Sequence, residues 1–142
     1  MSTWKETFRG VAYPWHCDHL GHMNVKNHVG MFDQAAAHIM AMIGFSWHDM
    51  DALGETLVDA RNTIEYRHEQ KAGSLIVVES ALTRIGGKSM TAKHRMLNVE
   101  TGDLAATSEI VSVYFSLETR QSLAIPDDVR AKMEPFLVTE EG

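Results

Sequence analysis

One long amphipathic segment, followed only by alternating apolar runs, limits what this chain can fold into more than any other feature does. Val29, Phe32, Ala36, Ile39 and Ile43 recur at helical spacing and line one face. Ala35, Met40 and Met42 widen that face, which predicts a helix that is largely buried. Asn24 or Asn27 is placed to cap its start, and Gly44 to stop it. A helix of this kind needs an apolar surface to lie against, and the rest of the chain offers strands. Thr7–Tyr13 is short and β-compatible, and Pro14 ends it. Leu57–Glu69 alternates through Ile64, Tyr66 and His68, and Leu75–Ile85 opens on a β-rich run. Lys88–Val99 puts Met90, Ala92, His94 and Met96 on one side, and Leu104–Leu117 is the last long strand. Gly86-Gly87 and Thr101-Gly102-Asp103 read as hairpin turns. The stretch Trp47–Gly54 reads as a loop, and Pro126–Met133 as a short terminal helix beginning at Pro126 or Asp127.

Strands joined by tight turns, with one helix on one face, make an α+β domain. The 142 residues suit a single domain spanning 1–142. One helix covers only part of a five-stranded sheet, so a homodimer or homotetramer is expected. The net charge of −6 argues against a nucleic-acid partner. No apolar run approaches the ~20 residues that span a bilayer, and Met1–Gly10 has no apolar signal core, so no membrane partner is expected. A single cysteine, Cys17, allows no intrachain disulfide, which fits a reducing, cytoplasmic setting.

Between the first strand and the helix lies a polar stretch, His16-Cys17-Asp18-His19-Leu20-Gly21-His22-Met23-Asn24, with Phe32-Asp33-Gln34-Ala35 further on. Together these pieces resemble the signature of the 4-hydroxybenzoyl-CoA thioesterase-like family. The likeness continues at Ile64-x-Tyr66, Gly73, the Arg84–Ser89 hairpin, Ala106–Glu109, Arg120 and Ile125-Pro126. It implies the hotdog fold, a five-stranded antiparallel sheet wrapped around one long helix. It also implies hydrolysis of an acyl-CoA substrate, with no cofactor, in a cleft shared between two protomers. The chain departs from the family pattern at Val25, where many members have Asn, His or Tyr. It departs again at His28, near which a tyrosine is common, and at Gln70, near a frequent proline.

Hydrolysing a thioester needs a group to attack or to activate water, and a donor for the oxyanion. Asp18 is a carboxylate just before a predicted helix start, where unpaired N–H groups carry partial positive charge. It serves as general base or as nucleophile. The family likeness assigns the carbonyl-polarising donor to the backbone N–H of Val25, a role that tolerates valine. Gly21 allows a tight turn and a close approach to substrate. Asn24 either caps the helix or shapes the site, and His22 is a hydrogen-bonded residue beside it. The competing reading of Asp18 is a loop carboxylate in an Asx-turn. Arg84, Lys88 and Ser89 bracket a hairpin turn where cations and N–H groups suit the phosphates of CoA. Their plainer reading is ordinary edge-strand charge.

The cluster His16, Cys17, Asp18, His19 and His22 has metal-ligand residue types, but no distant second pair of ligands and no HExxH or Cys-x-x-Cys accompanies it. No metal is therefore expected. Cys17 has no evident base and reads as an inert thiol. Trp15 and Trp47 read as packing residues. Two other functions fit the same residues: hydrolysis of an acyl group on acyl carrier protein, and a non-catalytic acyl-CoA-binding module.

Overall fold

The computed structural model describes residues 4–138; residues 1–3 and 139–142, the two ends of the expected domain, lie outside the described residues. Five strands and one long helix run in the expected order: β1 (Lys5–Val11), α1 (Val25–Ile43), β2 (Glu55–Tyr66), β3 (Leu75–Ile85), β4 (Ser89–Asn98) and β5 (Leu104–Ser116). Two short helices join them, α2 (Trp47–Leu53) and α3 (Asp127–Met133). The strands form one antiparallel sheet in the order β1-β3-β4-β5-β2. Chain neighbours β2 and β3 are therefore not sheet neighbours: β2 pairs β5, and β1 pairs β3.

Helix α1 begins at Val25 because Asn24, rather than Asn27, is its N-cap, and it stops at Gly44, whose φ of 104° suits a residue without a Cβ. Its buried residues are His28, Met31, Phe32, Ala35, Ile39 and Ile43. The buried face is thus turned from the expected one. Val25 and Val29 are exposed and leave an apolar flank uncovered, and Met42, on the other side of the buried face, is exposed as well. Inside, α1 meets Ile76, Val78 and Met96 at its first half and Leu82, Met90 and Tyr114 toward its end. Burying each such side chain contributes on the order of 2 kcal/mol.

The segment expected as a loop, Trp47–Gly54, is mostly helical. Ser46 caps it, accepting the Asp49 N–H at 3.1 Å, while the Asp49 carboxylate accepts the Ser46 N–H at 3.0 Å. This reciprocal pair is a capping box with Asp in the usual Glu position, which is why the pattern was missed. Trp47, at its start, is exposed, as is Trp15, so neither packs in the interior. Trp15 instead stacks on Tyr13 with ring centroids 4.6 Å apart. The β3–β4 turn is as short as expected but sits one residue later. Gly86 N–H donates to Ser89 O at 2.7 Å, leaving Gly87 and Lys88 as its centre.

A polar thread crosses the core. Thr7 Oγ1 donates to Val78 O at 3.2 Å and lies 2.7 Å from Ser80 Oγ, which lies 2.5 Å from Nδ1 of the fully buried His94. With the Thr7 proton used on Val78, Ser80 donates to Thr7 and accepts from His94, so the proton of His94 sits on Nδ1. Burial pushes the His94 imidazole down to about 4. The sign follows: above pH ~6.5 the ring is neutral in both states, and below it only the unfolded chain takes up the proton. We expect stability to fall by roughly 3 kcal/mol as pH drops from about 6.5 to 4 on account of this residue. Denaturant melts of the protein and of His94→Gln across that range check it; equal pH slopes would show that His94 does not carry the effect.

Candidate active site

The stretch from β1 to α1 is held by backbone pairing on both sides. Ala12 N–H donates to Ser74 O at 2.9 Å and Gly73 N–H to Ala12 O at 2.7 Å. Met23 N–H donates to Gln70 O at 2.8 Å, so the β2–β3 crossover lies against the start of the helix. Gln70 is buried and pins that crossover. Its Nε2 donates to the carbonyls of His68 and Glu69, and its Oε1 accepts from Asn98 Nδ2 at 3.0 Å. A proline here would lack that side-chain clamp.

Within this frame Asp18 turns the chain. Gly21 N–H donates to Asp18 O at 3.0 Å, and Gly21 takes a φ of 82°, open to glycine and costly to other residues. One carboxylate oxygen of Asp18 accepts Leu20 N–H at 3.0 Å, which is the Asx-turn expected of a loop aspartate. The other accepts Asn24 Nδ2 at 2.9 Å. The Asn24 amide and then the Leu20 N–H hold the Asp18 carboxyl below its ordinary value, so it is ionised at neutral pH.

Asn24 therefore both caps the helix and holds the Asp18 carboxylate. Its Oδ1 accepts Lys26 N–H at 3.0 Å, and its carbonyl accepts the N–H groups of Asn27 and His28. That satisfies every first-turn donor except one. The Val25 N–H has no acceptor among the described residues. Val25 and Asp18 line the same cleft of about 350 Å³, together with His22, His28 and Tyr66. The cleft thus offers an anionic oxygen and an unsatisfied N–H at a helix N-terminus, a pair suited to attack on a carbonyl and to holding the charge that develops.

The other sequence-predicted residues are placed as follows. His22 Nε2 lies 3.1 Å from Glu69 Oε2, so its imidazole is partnered on the cleft wall. Cys17 is half-buried, with Sγ 3.7 Å from Tyr13 O. Among the described residues no three His, Cys, Asp or Glu side chains converge as a metal ion needs. Arg84, Lys88 and Ser89 do not meet Asp18 within one protomer. They sit where β3 ends, whereas the Asp18 loop adjoins its start, and β3 is 11 residues long, roughly 35 Å. The hairpin tip is anchored by Arg130, whose Nη2 donates to Gly86 O at 2.6 Å.

Two cleft residues went unread as site residues in the sequence: His28, which lies within the helix pattern, and Tyr66, whose ring meets the His28 ring edge-on at 5.1 Å. The i, i+4 spacing from Asn24 to His28 was the available signal. A larger depression of about 450 Å³ lies far from Asp18, among α2, α3 and the start of β2. Three of its polar groups already serve the fold: Tyr114 Oη donates to Glu55 Oε1 at 2.5 Å, and Asp49 holds Ser46. The smaller cleft is the better candidate, because there one residue, Asn24 at the start of the long helix, holds an ionised carboxylate beside an unpaired N–H.

Residues 13–133 match the family model of the thioesterase-like superfamily. A betainyl-CoA thioesterase of Pseudomonas aeruginosa is 26% identical over 134 residues, covering 94% of this chain and 84% of that protein. An L-carnitine dehydrogenase/betainyl-CoA thioesterase of Agrobacterium fabrum is 26% identical over 125 residues, 88% of this chain but 25% of that longer protein. Among solved structures, the probable thioesterase YbaW of Escherichia coli superposes with a TM-score of 0.79 at 22% identity, over 92% of this chain and 98% of that one. The Staphylococcus aureus protein SAV2348, solved in complex with CoA, superposes with a TM-score of 0.85 at 20% identity, over 94% of this chain and 84% of that one. With its five-stranded sheet and long helix, this chain has the hotdog fold and belongs to the thioesterase-like superfamily, as a thioester hydrolase.

Proposed function

We propose that this protein hydrolyses an acyl-CoA thioester to the carboxylic acid and CoA in the cleft at the start of α1. One observation carries the reading: the ionised Asp18 carboxylate and the unpaired Val25 N–H line one cleft. The thioester carbonyl oxygen takes the Val25 N–H, and Asp18 either draws a proton from water or attacks the carbonyl itself. Asn24 holds Asp18 in place in both routes. The thiolate of CoA is a good enough leaving group to depart without a strong acid. Betainyl-CoA leads the substrates to test, because two relatives carry that activity in their names.

The functional unit in this reading is a homodimer at least, built from hotdog domains spanning 1–142 and working in the cytoplasm. Support comes from the β2 edge, where residues 58–63 are exposed, and from the uncovered flank of α1. Antiparallel pairing through β2 would set the Tyr66 end of one strand beside the partner's Glu55 end. The hairpin of Arg84, Lys88 and Ser89 lies toward that Glu55 end, since Ser89 is opposite Val113 and Val113 opposite Val58. A second protomer thereby accounts for how the CoA phosphates meet a hairpin that its own Asp18 loop does not reach.

Three measurements test this reading. A panel of CoA thioesters in a thiol-release assay should show turnover, and Asp18→Asn should keep the fold while losing about 100-fold or more in kcat. Turnover near wild type in folded Asp18→Asn would remove Asp18 from the chemistry. Replacing Arg84 and Lys88 together with Ala should raise KM for CoA esters several-fold, and weaken inhibition by CoA, with kcat nearly unchanged; an unmoved KM would make them plain surface charges. Sedimentation should find a dimer or tetramer, and an active monomer would contradict the shared cleft.

A further inference from the structure

The cleft beside Asp18 holds a second proton acceptor. His28 lies one helical turn after the cap and is 5% exposed. Its Nδ1 is 3.2 Å from the Asn24 carbonyl oxygen. A carbonyl only accepts, so Nδ1 carries the ring proton. Burial, set against the smaller pull of that carbonyl, pushes the His28 imidazole below its ordinary value, so the ring is neutral at pH 7 and Nε2 is a bare lone pair. Tyr66 meets the ring edge-on at 90° and fixes its plane. Asn24 thus holds both groups, Asp18 through Nδ2 and His28 through its carbonyl.

The two acceptors are unequal. Asp18, stabilised by Asn24 and Leu20, sits below the usual carboxylate range and binds a proton poorly. A neutral imidazole is the stronger base near pH 7. We propose that His28 Nε2 takes the proton of the attacking water, a step that rests on the thioesterase reading above. In direct hydrolysis the water oxygen bonds to the carbonyl carbon as its proton passes to Nε2, and the oxyanion forms at the Val25 N–H. Collapse breaks the C–S bond, the imidazolium returns its proton to the departing thiolate, and the acid product ionises to solvent. In the anhydride route Asp18 has already displaced the thiolate. The same water, deprotonated by Nε2, attacks the acyl carbonyl and breaks its bond to the Asp18 oxygen, which leaves as carboxylate while the imidazolium proton passes to solvent. Each route has one water to deprotonate, so His28 serves in both; in the direct route it takes that proton in place of Asp18, whose carboxylate instead accepts a hydrogen bond from the water and orients it for attack.

The other titratable groups on the cleft are Asp18, His22, Tyr66, Arg67, His68 and Glu69. His22 pairs with Glu69, Arg67 pairs with Glu65 at 2.7 Å, and His68 Nδ1 lies 3.1 Å from Leu104 O. None of these three is as buried as His28.

The test is kcat and KM against pH, from about 5 to 8, for the wild type, His28→Gln, His28→Ala and Asp18→Asn. Wild-type kcat should fall toward acid as His28 protonates, below the ordinary histidine range. His28→Gln should lose about 100-fold in kcat with KM within about 3-fold, and should lose that acid limb. Added imidazole should restore part of the turnover in His28→Ala; rescue needs only a folded fraction, which circular dichroism and thermal melts measure. Wild-type kcat and an unchanged acid limb in His28→Gln, beside an inactive Asp18→Asn, would overturn the proposal and leave the thioesterase reading intact. Lost turnover that imidazole does not restore, with the acid limb still present, would make His28 a positioning residue and also overturn it. A wild-type protein inactive on every CoA thioester would sink the thioesterase reading, and this step with it.

Discussion

Asn24 Oδ1 accepts the Lys26 N–H while its Nδ2 donates to Asp18 and its carbonyl takes Nδ1 of His28. A single residue thereby starts the long helix, orients the carboxylate and sets the imidazole. Because it caps through Lys26 and its own carbonyl takes the next two amides, it leaves the Val25 N–H as the unsatisfied donor. The site is thus a consequence of how the helix begins. Any change that moves the cap by one residue would displace the donor, the carboxylate and the imidazole together.

The rest of the fold keeps that helix start where it is. The core under α1 buries Phe32, Ile39 and Ile43, so the helix cannot rotate without exposing them. The crossover from β2 to β3 passes beside the cap, bonded to Met23 and closed by the buried Gln70. It brings Tyr66 and Glu69 to the far wall of the cleft. The same crossover leaves β2 as an exposed edge, and that edge gives the reason to expect a second protomer.

Much of this was legible in the residues. The helical period, the Gly44 stop and the alternation of Met90, Ala92, His94 and Met96 placed the helix and β4 to within a residue or two at most ends. Asp18, Gly21 and Asn24 stood out as a group because carboxylate, glycine and cap residue fell together before that helix. The helical face was turned because His28 and Met31 bury on one side while Val29 stays out, and an apolar count cannot distinguish a covered flank from an open one. α2 was missed because its capping box uses Asp, and because a short helix carries little periodic signal.

What the sequence determined by itself was therefore local: where strands alternate, where the helix begins and ends, and which side chains gather at its start. These follow from near-neighbour forces such as capping, turn conformation and the period of apolar residues. Only the tertiary structure decided that β2 pairs with β5, that His28 turns into the cleft, and that the Arg84–Ser89 hairpin lies at the far end of β3 from Asp18. Those choices depend on which apolar faces cover one another across the whole sheet, a cooperative packing outcome that spacing along the chain does not encode.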